Sequence, residues 1–286
     1  MIRTDILKSL AIAVALGGLS GCATVPPAPA AAPPPAMQYL YGSAEAAAAS
    51  VQAYAALVAE AEGRAARRES AVLADGATLD APRFADCGDK PLAALFDADE
   101  TLILNGGYEY DQARRGGAFD SASWDRWEKT GTDKVVAVPG AAAALTALRA
   151  MGITPIVNSN RSAANAAESE AALAAAGLGT FRHGETLFLK GDADGKSAKD
   201  ARRAAIAARW CVIAMAGDQL GDFSDLFAGD PAARRALAQS RAIAALWGRG
   251  WFVLPNPVYG AGVAGGWDEV FPVGQRWTDP GSKRKE

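Results

Sequence analysis

The sequence of 286 residues has little excess of either charge, one histidine and three cysteines. It contains 29 basic and 32 acidic side chains, so its formal net charge is −3. Proteins that bind nucleic acid usually present a clearly basic surface. The only dense basic run here, 283–285, lies at the chain terminus. We therefore expect no DNA or RNA partner.

The single histidine argues against catalysis by a histidine nucleophile. Arg182-His183-Gly184 has the form of such a motif, but the chain has no second histidine to assist it. Two glycine-rich stretches are also rejected as sites. Residues 260–265 match G-x-G-x-x-G, yet they lie too near the C-terminus for the strand and ribose-binding acid that should follow. Residues 191–197 are one residue short of a phosphate-binding loop and lack most ligands of a calcium loop.

The first 22 residues have the pattern of a targeting segment, a signal peptide that is kept out of the fold. Arg3 and Lys8 supply a positive end, and the apolar stretch after them is too short to span a bilayer as a stable helix. Residues 19–22, Leu-Ser-Gly-Cys, resemble the lipobox of bacterial lipoproteins, in which the cysteine is lipidated and becomes the mature N-terminus. Residue 23 is alanine rather than the aspartate that retains enteric lipoproteins at the inner membrane. The resemblance therefore implies that a lipid at Cys22 anchors the protein in the outer membrane, facing the periplasm. The alternative is an ordinary cleaved signal peptide with a chance cysteine.

Half of the residues are apolar, so a chain of this length can bury one sizeable core. Residues 23–42 begin with a run of proline and alanine that favours an extended tether. An alanine-rich stretch at 43–73 has apolar residues at helical spacing, with Ser43 placed to cap the helix. We predict a single folded domain at 43–282.

The most informative stretch is an apolar run at 92–96 that ends in three acids, Asp97, Asp99 and Glu100. Its length and flanking residues favour a buried parallel strand. Ligands bind at the carboxyl ends of strands in open α/β sheets. Asp97 and Asp99 lie two residues apart and point the same way along the pleat, so they repel each other unless a cation or a shared proton lies between them. The alternative to a ligand site is a strand that is simply followed by a solvated acidic turn.

After this strand, residues 106–134 are rich in glycine, aromatic and charged side chains. Such an insertion is a natural cap over the ligand-binding edge, although its aromatic residues could also serve only to pack it onto the body. Helices and strands then alternate, with helices predicted at 139–151, 163–176 and 198–209 and strands at 153–157, 187–189, 211–216 and 251–254. The alternation predicts an α/β fold with a doubly wound parallel sheet and helices on both faces.

Polar side chains follow three of these predicted strands, with a lysine between the second and the third. They are Asp97 and Asp99, then Ser159 and Asn160, then Lys199, and then Asp218 and Asp222. Carboxylates suit a hard cation such as Mg²⁺, and a hydroxyl, an amide and a lysine can hold a phosphate. An aspartate that faces a phosphate beside Mg²⁺ can form an aspartyl-phosphate. The strand ends therefore predict a magnesium and phosphate site.

These motifs resemble those of the haloacid dehalogenase (HAD) superfamily, whose phosphatases carry D-x-D-x-T, then a serine or threonine, a lysine and an acidic pair. Five blocks in the same order narrow the resemblance to the class C acid phosphatases, the lipoprotein e(P4) family: 96–102, 158–161, 196–202, 217–223 and 254–260. The resemblance covers roughly 85–275. It implies a HAD-like parallel sheet with a small cap, and a Mg²⁺-dependent phosphomonoesterase.

The resemblance implies that Asp97 is the nucleophile and a Mg²⁺ ligand. It makes Asp99 the general acid/base, with its backbone carbonyl on the metal, and Asp218 the remaining protein ligand. Ser159, Asn160 and Lys199 would hold the phosphate. Asp222 would orient Lys199 or a metal-bound water. Three residues differ from the family pattern: Leu104, Gln219 and Gly221. None of them is the nucleophile, the general acid/base or a metal ligand implied by the resemblance.

Trp124 in the insertion and Tyr259 near the C-terminus match aromatic residues that hold a nucleobase in the family. The resemblance thus implies a nucleoside 5′-monophosphate substrate. Two alternatives stay open: a broad acid phosphatase in which both rings only support the cap, and a non-catalytic ligand-binding lipoprotein. A monomer and a homodimer are both compatible with the sequence.

The fold implied by the resemblance places the strand ending at Asp97 beside the one ending at Asp218. Cys87 and Cys211 would then lie near the opposite edge of adjacent strands. The cell envelope permits disulfides. Two alternatives remain open. Cys87 and Cys211 form a disulfide, or Cys211 is simply a buried apolar residue.

Overall fold

A five-stranded parallel sheet organises the protein, in the order β5-β4-β1-β6-β7. The computed structural model describes residues 32–193 and 195–280. The strands are β1 (Leu92–Phe96), β2 (Ile103–Leu104), β3 (Val136–Ala137), β4 (Thr154–Ser162), β5 (Leu187–Lys190), β6 (Cys211–Gly217) and β7 (Trp251–Val253). The helices are α1 (Pro35–Gly42), α2 (Ala44–Arg67), α3 (Gly106–Arg115), α4 (Ser121–Thr130), α5 (Ala141–Ala150), α6 (Ala166–Ala175), α7 (Asp200–Arg209), α8 (Pro231–Gln239), α9 (Arg241–Ala244) and α10 (Trp267–Val270).

The central strand β1 is buried on both faces, which explains its continuous apolar run. Ala94 and Phe96 pack with the core formed by α2, α5 and α6, whereas Ala93 and Leu95 pack with the core on the opposite face, which includes α7. This alternation follows from the two-residue period of a strand. The prediction of a parallel α/β sheet with helices on both faces is therefore confirmed.

The folded domain begins before residue 43. Residues 35–42, which belong to the predicted tether, form helix α1. In this helix Leu40 is buried and the Tyr41 hydroxyl donates to Glu100 at 3.0 Å. The tether prediction is wrong for these eight residues, because α1 packs on α2 and on the strand-end loop. Ser43 caps α2 by accepting a hydrogen bond from the Ala46 N–H, as predicted, but α2 ends at Arg67 rather than at 73.

The predicted signal peptide (1–22), its Cys22 and residues 23–31 of the tether lie outside the described residues. None of the helices in the described ranges is long and apolar enough to cross a membrane.

The insertion after β1 folds as two helices, α3 and α4, between the short antiparallel strands β2 and β3. We call α3 and α4 the cap. Helices α8, α9 and α10 were not predicted from the sequence. Of these, α8 has no buried residue and α9 and α10 have only four residues each, so a buried helical stripe is weak or missing there.

Cys87 and Cys211 form a disulfide that joins the segment before β1 to the start of β6, with 124 residues of sequence separation. Strands β1 and β6 are hydrogen-bonded neighbours, so the arrangement expected from the resemblance is present. Of the two alternatives, the structure has the disulfide.

We predict that replacing both Cys87 and Cys211 by alanine lowers the free energy of unfolding by about 2–5 kcal/mol, because the cross-link closes a long loop in the unfolded chain. Denaturant unfolding measures this loss. Wild type in reductant serves as the control and should unfold like the variant. Two free thiols besides Cys22 in the denatured, unreduced protein would contradict the disulfide.

Candidate active site

The carboxyl ends of β1, β4 and β6 meet at one edge of the sheet, where the cap covers a cavity of about 1000 Å³. Nine of the residues predicted for the site are brought together here. Eight of them border the cavity: Asp97, Asp99, Trp124, Asn160, Lys199, Asp218, Asp222 and Tyr259. The ninth, Ser159, is fully buried at the end of β4.

Three carboxylates crowd at the floor of this cavity. Asp97, Asp218 and Asp222 each place one oxygen within 4.8 Å of the others. The approach of Asp222 depends on Gly217, because a Cβ there would lie 2.3 Å from the Cβ of Asp222. Oxygen ligands at this spacing are what a hard divalent cation needs. The side chain of Asp99 lies outside this group of three.

Burial and repulsion from neighbouring carboxylates raise the pKa values of Asp97 and Asp218. Desolvation raises the pKa of Asp97 well above its ordinary value, with Lys199 opposing and Asp222 and Asp218 adding to the rise. Desolvation and the Asp222 charge likewise raise the pKa of Asp218 to about 7. Burial and the neighbouring carboxylates therefore disfavour the charged forms of both acids.

Lys199 is the cation in the cluster. It precedes α7 and its ammonium donates to Asp97 at 2.5 Å and to Asp222 at 2.7 Å. Burial alone would lower the pKa of Lys199, but the Asp222 and Asp97 carboxylates raise it to about 12. The lysine is therefore fully charged near neutral pH. The predicted contact between Asp222 and Lys199 is present.

The Asp99 carboxylate is held by two partners on different segments. Arg161, at the end of β4, donates through Nε at 2.8 Å, and its Nη2 lies 2.7 Å from the same oxygen. Asn105, just before α3, donates through Nδ2 at 2.9 Å and accepts from Arg161 at 2.9 Å. Because Arg161 and Asn105 are both buried, this network fixes the rotamer of Asp99.

Ser159 and Asn160 differ in what they contact. The Ser159 hydroxyl accepts a hydrogen bond from the Arg161 N–H at 3.1 Å. The Asn160 side chain donates to the Ser197 carbonyl at 2.9 Å and accepts from Arg202 at 2.6 Å. Asn160 thus ties β4 to the loop before Lys199, a positioning function that the sequence did not reveal.

Trp124 on α4 forms part of the cavity wall. Its indole N–H donates to Glu128 at 2.6 Å, and its ring packs edge-on against Tyr108 with centroids 4.9 Å apart. The guanidinium of Arg161 lies 5.7 Å from the centroid of the same ring. These contacts link the cap to the residue that holds Asp99.

Tyr259 borders the cavity from the loop after β7, and its hydroxyl donates to Glu100. The turn after it requires glycine, because Gly260 has a φ of +91° and a Cβ would lie 2.4 Å from Gln219. Glu100 is fully buried and also accepts from Tyr41 at 3.0 Å and from the Asn105 N–H at 2.9 Å. Desolvation raises the pKa of Glu100 to about 7, with Asp99 adding to the rise and Tyr259 opposing it.

Sequence reasoning missed several residues that hold the site. Asn256 donates to Asp218 at 2.8 Å, and Thr101 donates to it at 3.3 Å. Glu128 accepts hydrogen bonds from Trp124 and from Asn165. The motif blocks contain Thr101, Arg161 and Asn256, so a polar residue inside a block was the available signal; nothing comparable marked Asn105 or Glu128.

Among the solved structures that resemble this fold are two of class C acid phosphatases. They are the class C acid phosphatase from Bacillus anthracis with tungstate bound and the same organism's class C acid phosphatase structure, at 20% and 21% identity. Both have a TM-score of 0.65, and each match covers 79% of this chain and 84% of the other. At this identity the likeness shows the fold alone. No curated protein matches the chain.

The sequence model of one family matches residues 40–262, most of the chain and all of the site described above. That family is described as HAD superfamily, subfamily IIIB (acid phosphatase). The match includes the strand-end aspartates, the cap and the loop that carries Tyr259. The chain therefore belongs to the acid phosphatases of HAD subfamily IIIB and is a phosphomonoester hydrolase.

Proposed function

We propose that this phosphatase uses Mg²⁺ and an aspartyl-phosphate intermediate to hydrolyse nucleoside 5′-monophosphates, and that a lipid at Cys22 anchors it in the cell envelope, in the outer membrane facing the periplasm. The observation that carries the catalytic part is the position of Asp97. Its carboxylate lies at the cavity floor beside Lys199 and within reach of Asp218 and Asp222.

The donor set fits a divalent cation. Asp97 and Asp218 would supply the carboxylate oxygens, while Asp222 lies beside them and is held by Lys199. Burial and the neighbouring carboxylates raise the pKa values of Asp97 and Asp218, and a bound cation would stabilise their charged forms. When bound, Mg²⁺ would reduce the repulsion between the Asp97 carboxylate and the phosphate dianion. Mg²⁺ is proposed over Ca²⁺ because it needs only one or two carboxylates together with phosphate and water.

In the proposed reaction an Asp97 oxygen attacks phosphorus while the ester P–O bond breaks. The leaving alkoxide takes a proton from Asp99, which Arg161 and Asn105 hold in place. A water molecule then attacks the aspartyl-phosphate, giving its proton to Asp99, and the Asp97–phosphorus bond breaks to release phosphate. Lys199 and Ser159 hold the phosphate oxygens through both steps, and both aspartates return to their initial states.

We predict that Asp97→Asn abolishes turnover without unfolding the protein, because the amide keeps the shape but removes the nucleophile. Asp99→Asn should reduce kcat by about 10²- to 10⁴-fold, the usual contribution of general acid/base assistance. Steady-state kinetics measures both, with Asp133→Asn on the exposed surface as the matched control. Activity above about a tenth of wild type in the Asp97 variant would contradict the mechanism.

Chelation should inactivate the enzyme and added Mg²⁺ should restore it. Asp218→Asn should raise the Mg²⁺ concentration for half-maximal activity, because it removes one carboxylate ligand. A metal titration after treatment with EDTA measures both effects. A rate that does not respond to EDTA would point to a phosphatase without a metal.

The nucleotide preference is supported by the position of two rings at one cavity. Trp124 and Tyr259 both border the space above Asp97. A flat base beside these rings would be bound by stacking, which is worth about 1–3 kcal/mol per base by alanine substitution.

We therefore predict that Trp124→Ala and Tyr259→Ala each raise KM for nucleoside monophosphates by about 5- to 150-fold with little change in kcat. A simple alkyl phosphate is the control substrate and should be hydrolysed as before. Equal losses for both substrates would show that the rings only support the cap.

That outcome would favour a broad-specificity acid phosphatase, the second candidate function. It has one observation in its favour. Both rings already have partners within the protein, since Trp124 donates to Glu128 and Tyr259 donates to Glu100.

For the anchor, we predict that Cys22→Ala moves the protein from the membrane fraction to the soluble fraction, because the lipid would be its only membrane attachment. Fractionation of cells that express each form measures this. Retention of the variant in the membrane fraction would contradict the proposal.

A further inference from the structure

A third buried glutamate in the cap region differs from the two described above. Glu109, in the first turn of α3, is 6% exposed and borders the catalytic cavity. Glu100 and Glu128 are also buried, and each accepts hydrogen bonds from at least two other residues. Within residues 32–193 and 195–280, no hydrogen bond or ion pair reaches the carboxylate of Glu109.

A side chain that is enclosed to this degree normally has a polar partner in a folded protein. The carboxylate oxygens of Glu109 are not themselves fully buried, so they remain accessible from the cavity. Desolvation alone raises the pKa of Glu109 to about 7. The helix dipole favours an acid in the first turn of a helix, but an exposed acid would gain the same benefit. The dipole therefore does not explain why this acid borders a cavity and receives no hydrogen bond within the described ranges.

The surroundings of Glu109 indicate which part of a substrate could supply the donor. Its neighbour Tyr108 packs edge-on against Trp124, the ring proposed for the base, and Asp97 lies at the phosphate end of the same cavity. In a nucleoside 5′-monophosphate, the ribose joins base and phosphate. A carboxylate has two oxygens that can accept from two vicinal hydroxyls, and an acidic side chain binds ribose in the same way at dinucleotide sites.

We propose that Glu109 is a specificity residue that accepts hydrogen bonds from the vicinal hydroxyls of a ribose in the alcohol part of the substrate. This inference rests on the proposed nucleotide preference and deepens it. Glu109 takes no part in the chemical step, so substrates without hydroxyls are hydrolysed independently of it.

The test compares kcat/KM for the 5′-monophosphates of adenosine, 2′-deoxyadenosine and 2′,3′-dideoxyadenosine, with phenyl phosphate as the reference ester. A hydrogen bond to a charged group is worth about 1.5–3 kcal/mol, so wild type should prefer adenosine over dideoxyadenosine monophosphate by about 10- to 150-fold. In Glu109→Ala this preference should fall below about 3-fold. Hydrolysis of phenyl phosphate should not change.

Asp111→Asn is the matched control. Asp111 lies on the same helix and carries the same charge, but it is exposed and paired with Arg115. This variant should keep the wild-type preference. Glu109→Gln keeps the size of the side chain and removes a buried, unpaired charge, so its melting temperature should be at least that of wild type at pH 8.

The possible failures are distinguishable. If wild type prefers adenosine monophosphate to phenyl phosphate but does not distinguish it from the dideoxy form, the assignment of Glu109 is overturned and the nucleotide preference stands. If Glu109→Ala lowers kcat/KM equally for adenosine and dideoxyadenosine monophosphate, the carboxylate acts on binding of the base or on folding rather than on the ribose hydroxyls. The proposal is then likewise overturned. If wild type hydrolyses phenyl phosphate as well as nucleotides, the nucleotide preference itself fails.

Discussion

The rest of the structure depends on the crowding of carboxylates at the carboxyl edge of the sheet. Asp97, Asp218 and Asp222 approach within 4.8 Å of one another, and Lys199 is the cation that contacts two of them. Such a cluster is costly in a buried place unless cations compensate it. In the reaction that we propose, this cluster would bind a divalent cation and position the nucleophile, at the expense of stability that a packed core could have provided.

A buried network holds this cluster in relation to the cap. Arg161 and Asn105 bind Asp99 from the end of β4 and the start of the cap, and Glu100 joins Tyr41 of α1 to Tyr259 after β7. Segments far apart in the chain thus meet on neighbouring carboxylates of one loop. Because each is hydrogen-bonded to that loop, a shift of the cap would also disturb Asp99.

The cap has two kinds of buried acid, which differ in whether other side chains hydrogen-bond to them. Glu128 accepts hydrogen bonds from neighbouring side chains and stabilises the fold, whereas Glu109 borders the cavity and receives no hydrogen bond from the residues that the structure describes. A site that leaves a polar group unpaired until the substrate arrives can discriminate strongly against analogues that lack the matching group. The same cap can thereby enclose the catalytic cavity and select the alcohol part of the ester.

The sequence by itself determined the sheet, its parallel direction and the positions of the strand-end aspartates, because burial on both faces leaves continuous apolar runs that end abruptly in charge. It also placed Ser43 as a helix cap. Only the tertiary structure decided that residues 35–42 join the fold, that Cys87 and Cys211 form a disulfide, and that Asn160 ties β4 to the loop of Lys199. Those features are contacts between segments distant in sequence. Glu109 shows the same limit, because only the packed structure reveals that none of the described residues donates to its carboxylate.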